Sequence, residues 1–209
     1  MTKDKCYDWQ HLVNTYKSII SPNNIVVEIG SSNAHRTLEL SNYCKNLVGI
    51  EKFPDRILHN LSSSKNNIRI INTDWCKLSE VVPLGSIDVV VASHVIEHVD
   101  DDTRCLNETF KVLKRGGYLL FNTPNKKRLT RSIIELFTGE REFPHWEHMR
   151  EYIRADLESL IVNSNFSYQK TKITGLVFGI HGMGIRLYVK KVPFFLDKLS
   201  NYWEVLIQK

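Results

Sequence analysis

One short segment carries the residue types and spacing of a zinc peptidase. Residues 94–98 read His-Val-Ile-Glu-His, and an H-x-x-E-H motif can supply two histidine ligands to zinc and a glutamate base. That chemistry needs both histidines on one helical face, with a third ligand further along the chain. His94 instead follows a predicted strand over residues 87–92, so His94 and His98 would not share a helical face. We therefore predict no zinc site from this motif.

The end of the first predicted strand has the composition of a ligand-binding turn. An apolar run over residues 25–29 ends at Gly30, and small residues follow at Ser32 and Ala34. A glycine at such a turn lets the backbone approach a ligand closely. Only one glycine of the G-x-G-x-x-G pattern is present, so this turn is a poor match for a dinucleotide pyrophosphate.

Acidic side chains follow the next two predicted strands. Glu51 lies 21 residues after Gly30, the spacing at which one carboxylate accepts hydrogen bonds from both hydroxyls of a ribose. Asp74 can accept from an exocyclic amine, and the adjacent Trp75 can offer an aromatic wall. Ligands of open parallel sheets bind beyond the carboxyl ends of the strands. These residues together therefore predict a nucleoside site.

The elements that must position these side chains are short apolar runs alternating with longer segments. Such runs are typical of strands buried on both faces of a parallel sheet. Helices are predicted after Asp101 and over residues 156–163. Further strands are predicted at residues 166–174 and 203–207. The central predicted strands cover residues 25–29, 47–50, 68–71, 87–92 and 118–121.

Composition favours one folded domain. The chain has 209 residues, of which 42% are apolar and 24% charged, as in ordinary globular domains. We predict a single domain over residues 1–209, with a helical lead-in at 1–22 and an insertion at 175–201 that covers an acceptor pocket. No apolar run approaches the roughly 20 residues of a membrane span.

Charge and cysteine content limit the partners and the compartment. The net charge of +5, from 28 basic and 23 acidic residues, is mild. One basic stretch, residues 125–131, either contacts phosphates or forms a solvated loop and helix start. The four cysteines show no C-x-x-C, and the first residues lack the apolar core of a signal peptide. We therefore predict a cytoplasmic location and reduced thiols.

The order of these strand ends resembles the class I S-adenosylmethionine-dependent methyltransferases, in particular the small-molecule (type 11) group. The resemblance covers residues 26–166. The first motif of the family, acid-x-Gly-x-Gly-x-Gly, stands here as Glu28, Gly30, Ser32 and Ala34, with two of three glycines replaced by small residues. Residues 87–99 and 110–120 match its later motifs, and Thr123-Pro124-Asn125 closes the fifth strand as in relatives.

The resemblance implies a fold, an activity and a cofactor. The implied fold is an α/β Rossmann-like sheet of seven mostly parallel strands, with helices on both faces and the last strand antiparallel. The implied protein is an enzyme that uses S-adenosylmethionine. Its ribose would be bound by the residue that matches the family's acid, Glu51. The full set of implied cofactor-binding residues is Glu28, Gly30, Ser31, Ser32, Glu51, Lys52, Asp74, Trp75, Ser93 and His94.

Two histidines are the catalytic candidates. In relatives, the Glu-His pair after the fourth strand lies near the methyl-transfer site, and this pair matches Glu97 and His98. A His-x-Arg-x-Tyr-like stretch lies over the acceptor pocket of relatives, and His148 matches its histidine best. His98 and His148 are therefore expected either to act as a general base or to support their loops. The expected acceptor is an oxygen or nitrogen of a small molecule, such as a sugar or a lipid-linked precursor.

Two other functions stay open. Small-RNA ribose 2′-O-methyltransferases resemble the chain in an E-x-x-E-H motif with a later histidine, which hold a metal. Here Glu97, His98 and His148 remain, but His94 stands in place of the first glutamate, so we expect neither a metal nor a nucleic acid partner. The third hypothesis is a non-catalytic S-adenosylmethionine-binding module, motivated by the reduced glycine motif.

Overall fold

The computed structural model describes residues 15–31, 35–56, 66–139, 148–182, 185–192 and 194–209. The chain divides into two compact units. The first contains residues 1–91, 108–119 and 209, and the second contains residues 92–107 and 120–208. Two strands run through both units, and the prediction of one domain over the whole chain stays a prediction.

The first unit is built on parallel strands. Their order is β3-β2-β1-β4-β5. Strands β1 and β2 pair in parallel with Ile29 opposite Ile50, and β2 pairs with β3 with Glu51 opposite Asn72. The valines of β1 are fully buried, as expected for a strand covered on both faces. The strands are β1 (Ile25–Ile29), β2 (Asn46–Glu51), β3 (Ile68–Asn72), β4 (Ile87–Ser93) and β5 (Leu113–Pro124).

Short helices follow the strands. Helix α1 spans His35–Leu40, α2 spans Leu78–Val81, and α3 spans Asp102–Val112. The predicted helix after Asp101 is thus confirmed. Of the predicted lead-in at 1–22, residues 15–19 are helical, and residues 1–14 lie outside the described part of the chain.

The second unit carries the antiparallel part of the sheet. Its strand order is β4-β5-β8-β6-β7. Strand β6 pairs antiparallel with β8 and with β7. The new elements are α4 (Leu129–Thr138), α5 (Arg154–Val162), β6 (Thr171–Gly182), β7 (Ile185–Lys191) and β8 (Tyr202–Gln208). No helix in the described residues has both the length and the apolar character needed to span a bilayer.

The predicted fold class is confirmed, but its carboxyl-terminal part needs correction. The predicted strand over 166–174 begins only at Thr171 and continues to Gly182. The predicted insertion, residues 175–201, contains the rest of β6 and the additional strand β7, which gives eight strands among the described residues. The sequence analysis predicted no strand within this segment beyond residue 174. Gly175 is required because Asp197 and Ser200 leave no room for a Cβ.

Candidate active site

The turn after β1 has the geometry predicted for ligand binding. Gly30 has a φ of 77°, in the left-handed region that glycine adopts without a steric penalty. The Gly30 and Ser31 N–H groups both donate to the Ile50 carbonyl oxygen, at 2.8 and 3.2 Å. These bonds tie the turn to β2. Ser32 and Ala34, which the sequence also placed at this turn, lie outside the described residues.

A buried hydroxyl at this turn has no partner within the described part of the chain. Ser31 is 5% exposed, and its buried Oγ makes no hydrogen bond there. An added Cβ on Gly49 would lie 2.8 Å from that oxygen, so Gly49 leaves the space that Ser31 occupies. Buried polar atoms are seldom left without a partner. A ligand bound at the turn would supply one, and the sequence alone gave no signal for Gly49.

Glu51 lies buried at the end of β2. Its exposed fraction is 4%, and its Oε1 accepts a hydrogen bond from the Phe53 N–H at 3.0 Å. Its backbone oxygen accepts from Thr73 at 3.1 Å. The carboxylate is therefore held in one orientation at the strand end where a ribose diol was predicted.

Replacing Glu51 with alanine should weaken S-adenosylmethionine binding by about 1.5–3 kcal/mol, the range for hydrogen bonds to a charged group. Titration calorimetry measures this directly. Glu80→Ala is the matched control, because Glu80 is an exposed carboxylate on α2. Equal affinities of the Glu51 variant, the control and the wild type would remove Glu51 from the site.

Asp74 and Lys52 form an ion pair at the adjacent strand ends. Lys52 Nζ lies 2.9 Å from Asp74 Oδ2, and Asp74 Oδ1 accepts from the Cys76 N–H at 2.9 Å. Partial burial alone would raise the pKa of Asp74. The hydrogen bond from Cys76 and the Lys52 ammonium outweigh burial and hold that pKa below its usual value. Asp74 is thus a carboxylate that also caps the following turn.

Trp75 has a structural role in the packing of the first unit. Its side chain is buried, and its indole N–H donates to Thr109 Oγ1 at 2.8 Å. A buried tryptophan usually needs such a partner. This burial accounts for the residue without a ligand, so the predicted contact of Trp75 with an adenine stays a prediction.

Glu28 is a buried acid on β1 whose ionisation is perturbed. Thr37 Oγ1 donates a hydrogen bond to its Oε2, and both side chains are buried. Burial raises the pKa of Glu28 from its ordinary 4.5 to about 7, against smaller lowering effects of the Thr37 hydrogen bond and the Arg36 charge. Near neutral pH this carboxyl therefore changes its charge.

Glu28→Gln should remove a pH dependence of stability. The pKa of Glu28 is raised in the folded state. Its contribution to the free energy of unfolding is therefore fully present below its unfolded-state pKa and is lost as pH rises through about 7. The amide stays neutral throughout. The free energy of unfolding of the variant, relative to that of wild type, should therefore rise by about 2–3 kcal/mol as pH is raised from 5 to 8.

Urea denaturation at several pH values tests this expectation, with the exposed Glu80→Gln as the control. Parallel stability profiles for wild type and Glu28→Gln would show that Glu28 ionises normally in the folded chain.

In the second unit, His94 occupies a constrained turn at the end of β4. Its φ is 53°, an uncommon value for a residue other than glycine. The His94 N–H donates to Oδ1 and to the backbone oxygen of Asn122, at 3.0 and 3.2 Å. The amide Nδ2 of Asn122 is buried and makes no hydrogen bond in the described part of the chain. Ser93 ends the strand, which confirms that His94 lies in the turn beyond it.

Glu97 is the one acid of the motif at residues 94–98. It is fully buried, with Oε1 lying 3.2 Å from His94 Nδ1 and Oε2 accepting from Thr123 Oγ1 at 3.2 Å. Its backbone oxygen accepts from the Met149 N–H at 2.8 Å. That last bond joins the segment containing His148 to the turn after β4.

The structure brings the two predicted catalytic histidines together. The ring centroids of His98 and His148 are 4.9 Å apart in an edge-to-face arrangement. Glu97, His98 and His148 each present a possible ligand atom, and these atoms lie within 4.8 Å of one another. Sequence reasoning named these three residues, although they span 52 positions of the chain.

Glu151, which sequence reasoning missed, orients His148. Its buried side chain places Oε1 3.2 Å from His148 Nδ1. Its Oε2 accepts from Arg128 at 2.9 Å and from Arg131 at 3.2 Å. Two arginines of the basic stretch are therefore paired within the protein, while Lys126 and Lys127 are exposed. The i, i+3 spacing of His148 and Glu151 was the available signal.

The residues of the first unit fit S-adenosylmethionine. Gly30 leaves its turn free of a side chain, the buried Ser31 hydroxyl has no partner among the described residues, and the buried Glu51 carboxylate ends the neighbouring strand. A hydroxyl-rich, cationic ligand would satisfy both polar groups, because a carboxylate accepts hydrogen bonds and a hydroxyl can donate or accept them.

Comparisons with known proteins show similarity to methyltransferases. Residues 27–121 match the model of a methyltransferase domain family. A probable S-adenosylmethionine-dependent methyltransferase of Mycolicibacterium smegmatis is 28% identical over 162 residues, which cover 77% of this chain and 56% of that protein. The mitochondrial ubiquinone biosynthesis O-methyltransferase of Bos taurus is 26% identical over 162 residues, covering 73% of this chain and 43% of that protein. The chain thus spans about half the length of these relatives.

Solved structures share the fold at low sequence identity. A S-adenosylmethionine-dependent methyltransferase of Archaeoglobus fulgidus is similar with a TM-score of 0.66 and 14% identity, over 96% of this chain and 92% of that one. The N-methyltransferase NodS of Bradyrhizobium japonicum, solved with S-adenosylhomocysteine, is similar with a TM-score of 0.63 and 16% identity. The match covers 99% of this chain and 89% of that one. Residues 27–121 therefore match a methyltransferase domain family, and the chain has the fold of S-adenosylmethionine-dependent methyltransferases of known structure.

Proposed function

We propose that the chain transfers a methyl group from S-adenosylmethionine to an oxygen or nitrogen of a small-molecule acceptor. The observation that carries this proposal is the turn at Gly30, where the buried Ser31 hydroxyl has no partner in the described residues and the buried Glu51 lies on the next strand. The match to the methyltransferase domain family includes both strands.

Residues of the first unit would hold the cofactor. Glu51 would accept hydrogen bonds from the ribose hydroxyls, Ser31 would bond a polar group beside the turn, and Asp74 would accept from the adenine amine. Lys52, Glu28, Ser32 and Trp75 are kept as further predicted contacts of this unit, and Ser93 and His94 remain predictions from the sequence. The bound cofactor supplies a methyl group on a sulfonium that a lone pair can displace. Most of the rate enhancement in such a displacement comes from aligning the reactants and excluding water.

His98 and His148 would serve the acceptor. A histidine within hydrogen-bond reach of a hydroxyl or amine can take its proton as the new bond forms. The Glu151 carboxylate contacts His148 Nδ1, so an Nδ1–H tautomer would leave Nε2 of His148 to accept that proton. His98 packs edge-to-face on the same ring. We therefore propose these two residues as the base and its neighbour.

Both acceptor atoms occur among similar proteins. The Bos taurus relative is an O-methyltransferase of ubiquinone biosynthesis, and the Bradyrhizobium japonicum structure is an N-methyltransferase. Neither name fixes the acceptor of this chain, so hydroxyl and amine acceptors are proposed together. We also propose a cytoplasmic location, supported by Cys44, Cys76 and Cys105, which form no disulfide in the described part of the chain.

A transfer assay with methyl-labelled S-adenosylmethionine tests the proposed function. The acceptor panel should contain sugars, lipid-linked sugars, phenols, amines and short RNA. Label should enter a small-molecule hydroxyl or amine, and Glu51→Ala should reduce its incorporation. Binding of the cofactor with no transfer to any acceptor class would instead favour the non-catalytic module.

A metal-dependent RNA ribose 2′-O-methyltransferase is the second candidate. The observation that favours it is the cluster of Glu97, His98 and His148, whose ligand atoms lie within 4.8 Å of one another. One carboxylate and two imidazoles are a common set for a catalytic divalent metal. In that case EDTA should abolish transfer to RNA, added divalent ion should restore it, and RNA affinity should fall steeply with salt. Activity that EDTA leaves unchanged would support the metal-free version.

A further inference from the structure

Helix α4 carries an apolar stripe whose last two residues are exposed, while its first two are partly buried. Leu129, Ile133, Leu136 and Phe137 fall at helical spacing along one side of α4. Leu136 is 80% exposed and Phe137 is 82% exposed. Single exposed apolar residues are ordinary, but adjacent large ones on an amphipathic helix indicate an interaction surface.

Positive charge accompanies this stripe. Lys126 and Lys127 are exposed and lie immediately before the helix. The two arginines of the same segment are engaged by the buried Glu151. Lys126 and Lys127 thus carry positive charge at the exposed surface beside the start of α4. A helix with an apolar stripe and lysines at its start fits the surface of an anionic lipid bilayer, whose interior is apolar and whose headgroups are negatively charged.

We propose that α4 docks on an anionic lipid surface, with Leu136 and Phe137 in the outer acyl region and Lys126 and Lys127 among the headgroup phosphates. A second copy of the chain would also cover the apolar stripe, but an anionic bilayer would in addition compensate the exposed charge of Lys126 and Lys127. Charge complementarity therefore favours the bilayer. The proposal does not depend on methyl transfer, because an inactive protein would dock in the same way.

Vesicle flotation with the full chain tests the proposal. Wild type should float with vesicles of phosphatidylglycerol and phosphatidylcholine, and much less with phosphatidylcholine alone. The double variant Leu136→Ser, Phe137→Ser should bind the anionic vesicles at least tenfold more weakly, because burial of each apolar side chain is lost. Each lysine contributes roughly 1 kcal/mol to binding at such a surface. Replacing Lys126 and Lys127 with serine should therefore weaken binding to anionic vesicles about five-fold per residue.

Leu84→Ser is the matched control, since Leu84 is 67% exposed but lies in the loop before β4. It should float like wild type, and all variants should keep wild-type circular dichroism. The proposal is overturned if wild type does not bind anionic vesicles, or if the α4 double variant floats as wild type does. It is also overturned if light scattering shows a dimer that the same double variant dissolves, because α4 would then be an interface between copies.

Discussion

Replacing Gly30 with valine should abolish S-adenosylmethionine binding while the parallel sheet stays folded. Gly30 adopts a φ of 77°, which costs a residue with a side chain roughly 1–2 kcal/mol and a β-branched residue more. The valine methyl groups would also fill the turn where the backbone approaches the ligand. Titration calorimetry should therefore show no saturable heat, whereas circular dichroism should keep its wild-type form.

Gly85→Val separates backbone strain from loss of the site. Gly85 also has a positive φ, of 59°, and an added Cβ there would meet no atom within 4 Å. Both valine variants carry similar strain, but only Gly30 lies at the proposed cofactor turn. Normal binding by Gly30→Val, or equal loss of binding in both variants, would contradict the placement of the cofactor.

Replacing His98 with alanine should slow methyl transfer by about a hundredfold to ten-thousandfold, the typical contribution of a general base. Cofactor affinity should stay nearly unchanged, because His98 and His148 are assigned to the acceptor rather than to the nucleoside. His148→Ala should show the same pattern if the two edge-to-face rings act as one unit. Single-turnover rates and calorimetry on the same preparations separate the two effects.

Met149→Ala is the control for this experiment. Met149 is 58% exposed and adjoins His148, but its side chain can neither accept a proton nor replace an imidazole. Its variant should keep a near wild-type rate. Undiminished transfer by both histidine variants would assign His98 and His148 to loop support and remove the proposed base.

The first four strands of the sheet could largely be predicted from the sequence. Strand β1 matches its predicted bounds, and β2, β3 and β4 differ by at most one residue at each end, because continuous apolar runs mark strands buried on both faces. Once those strands are parallel, the turn at Gly30 and the acid at Glu51 follow from their positions. The positions of Gly30 and Glu51 at this edge could therefore be predicted from the sequence, and their binding role stays a prediction.

Other features depend on contacts between distant residues, which a single sequence does not reveal. The β6–β7 hairpin was not predicted, and Gly175 is explained only by Asp197 packed against it. The hydrogen bond from Trp75 to Thr109 could not be predicted, because the two residues are 34 positions apart in the sequence. The role of Glu151 could not be predicted, because its contacts with Arg128 and His148 are seen only in the folded chain.

The central claim is that the strand ends carrying Gly30, Ser31 and Glu51 bind S-adenosylmethionine for methyl transfer. Titration of S-adenosylmethionine into the wild-type chain, with the Gly30→Val protein in the reference series, tests it most directly. The expected result is saturable one-to-one binding to wild type and none to the variant. Absence of saturable binding to a folded wild-type chain would contradict the account.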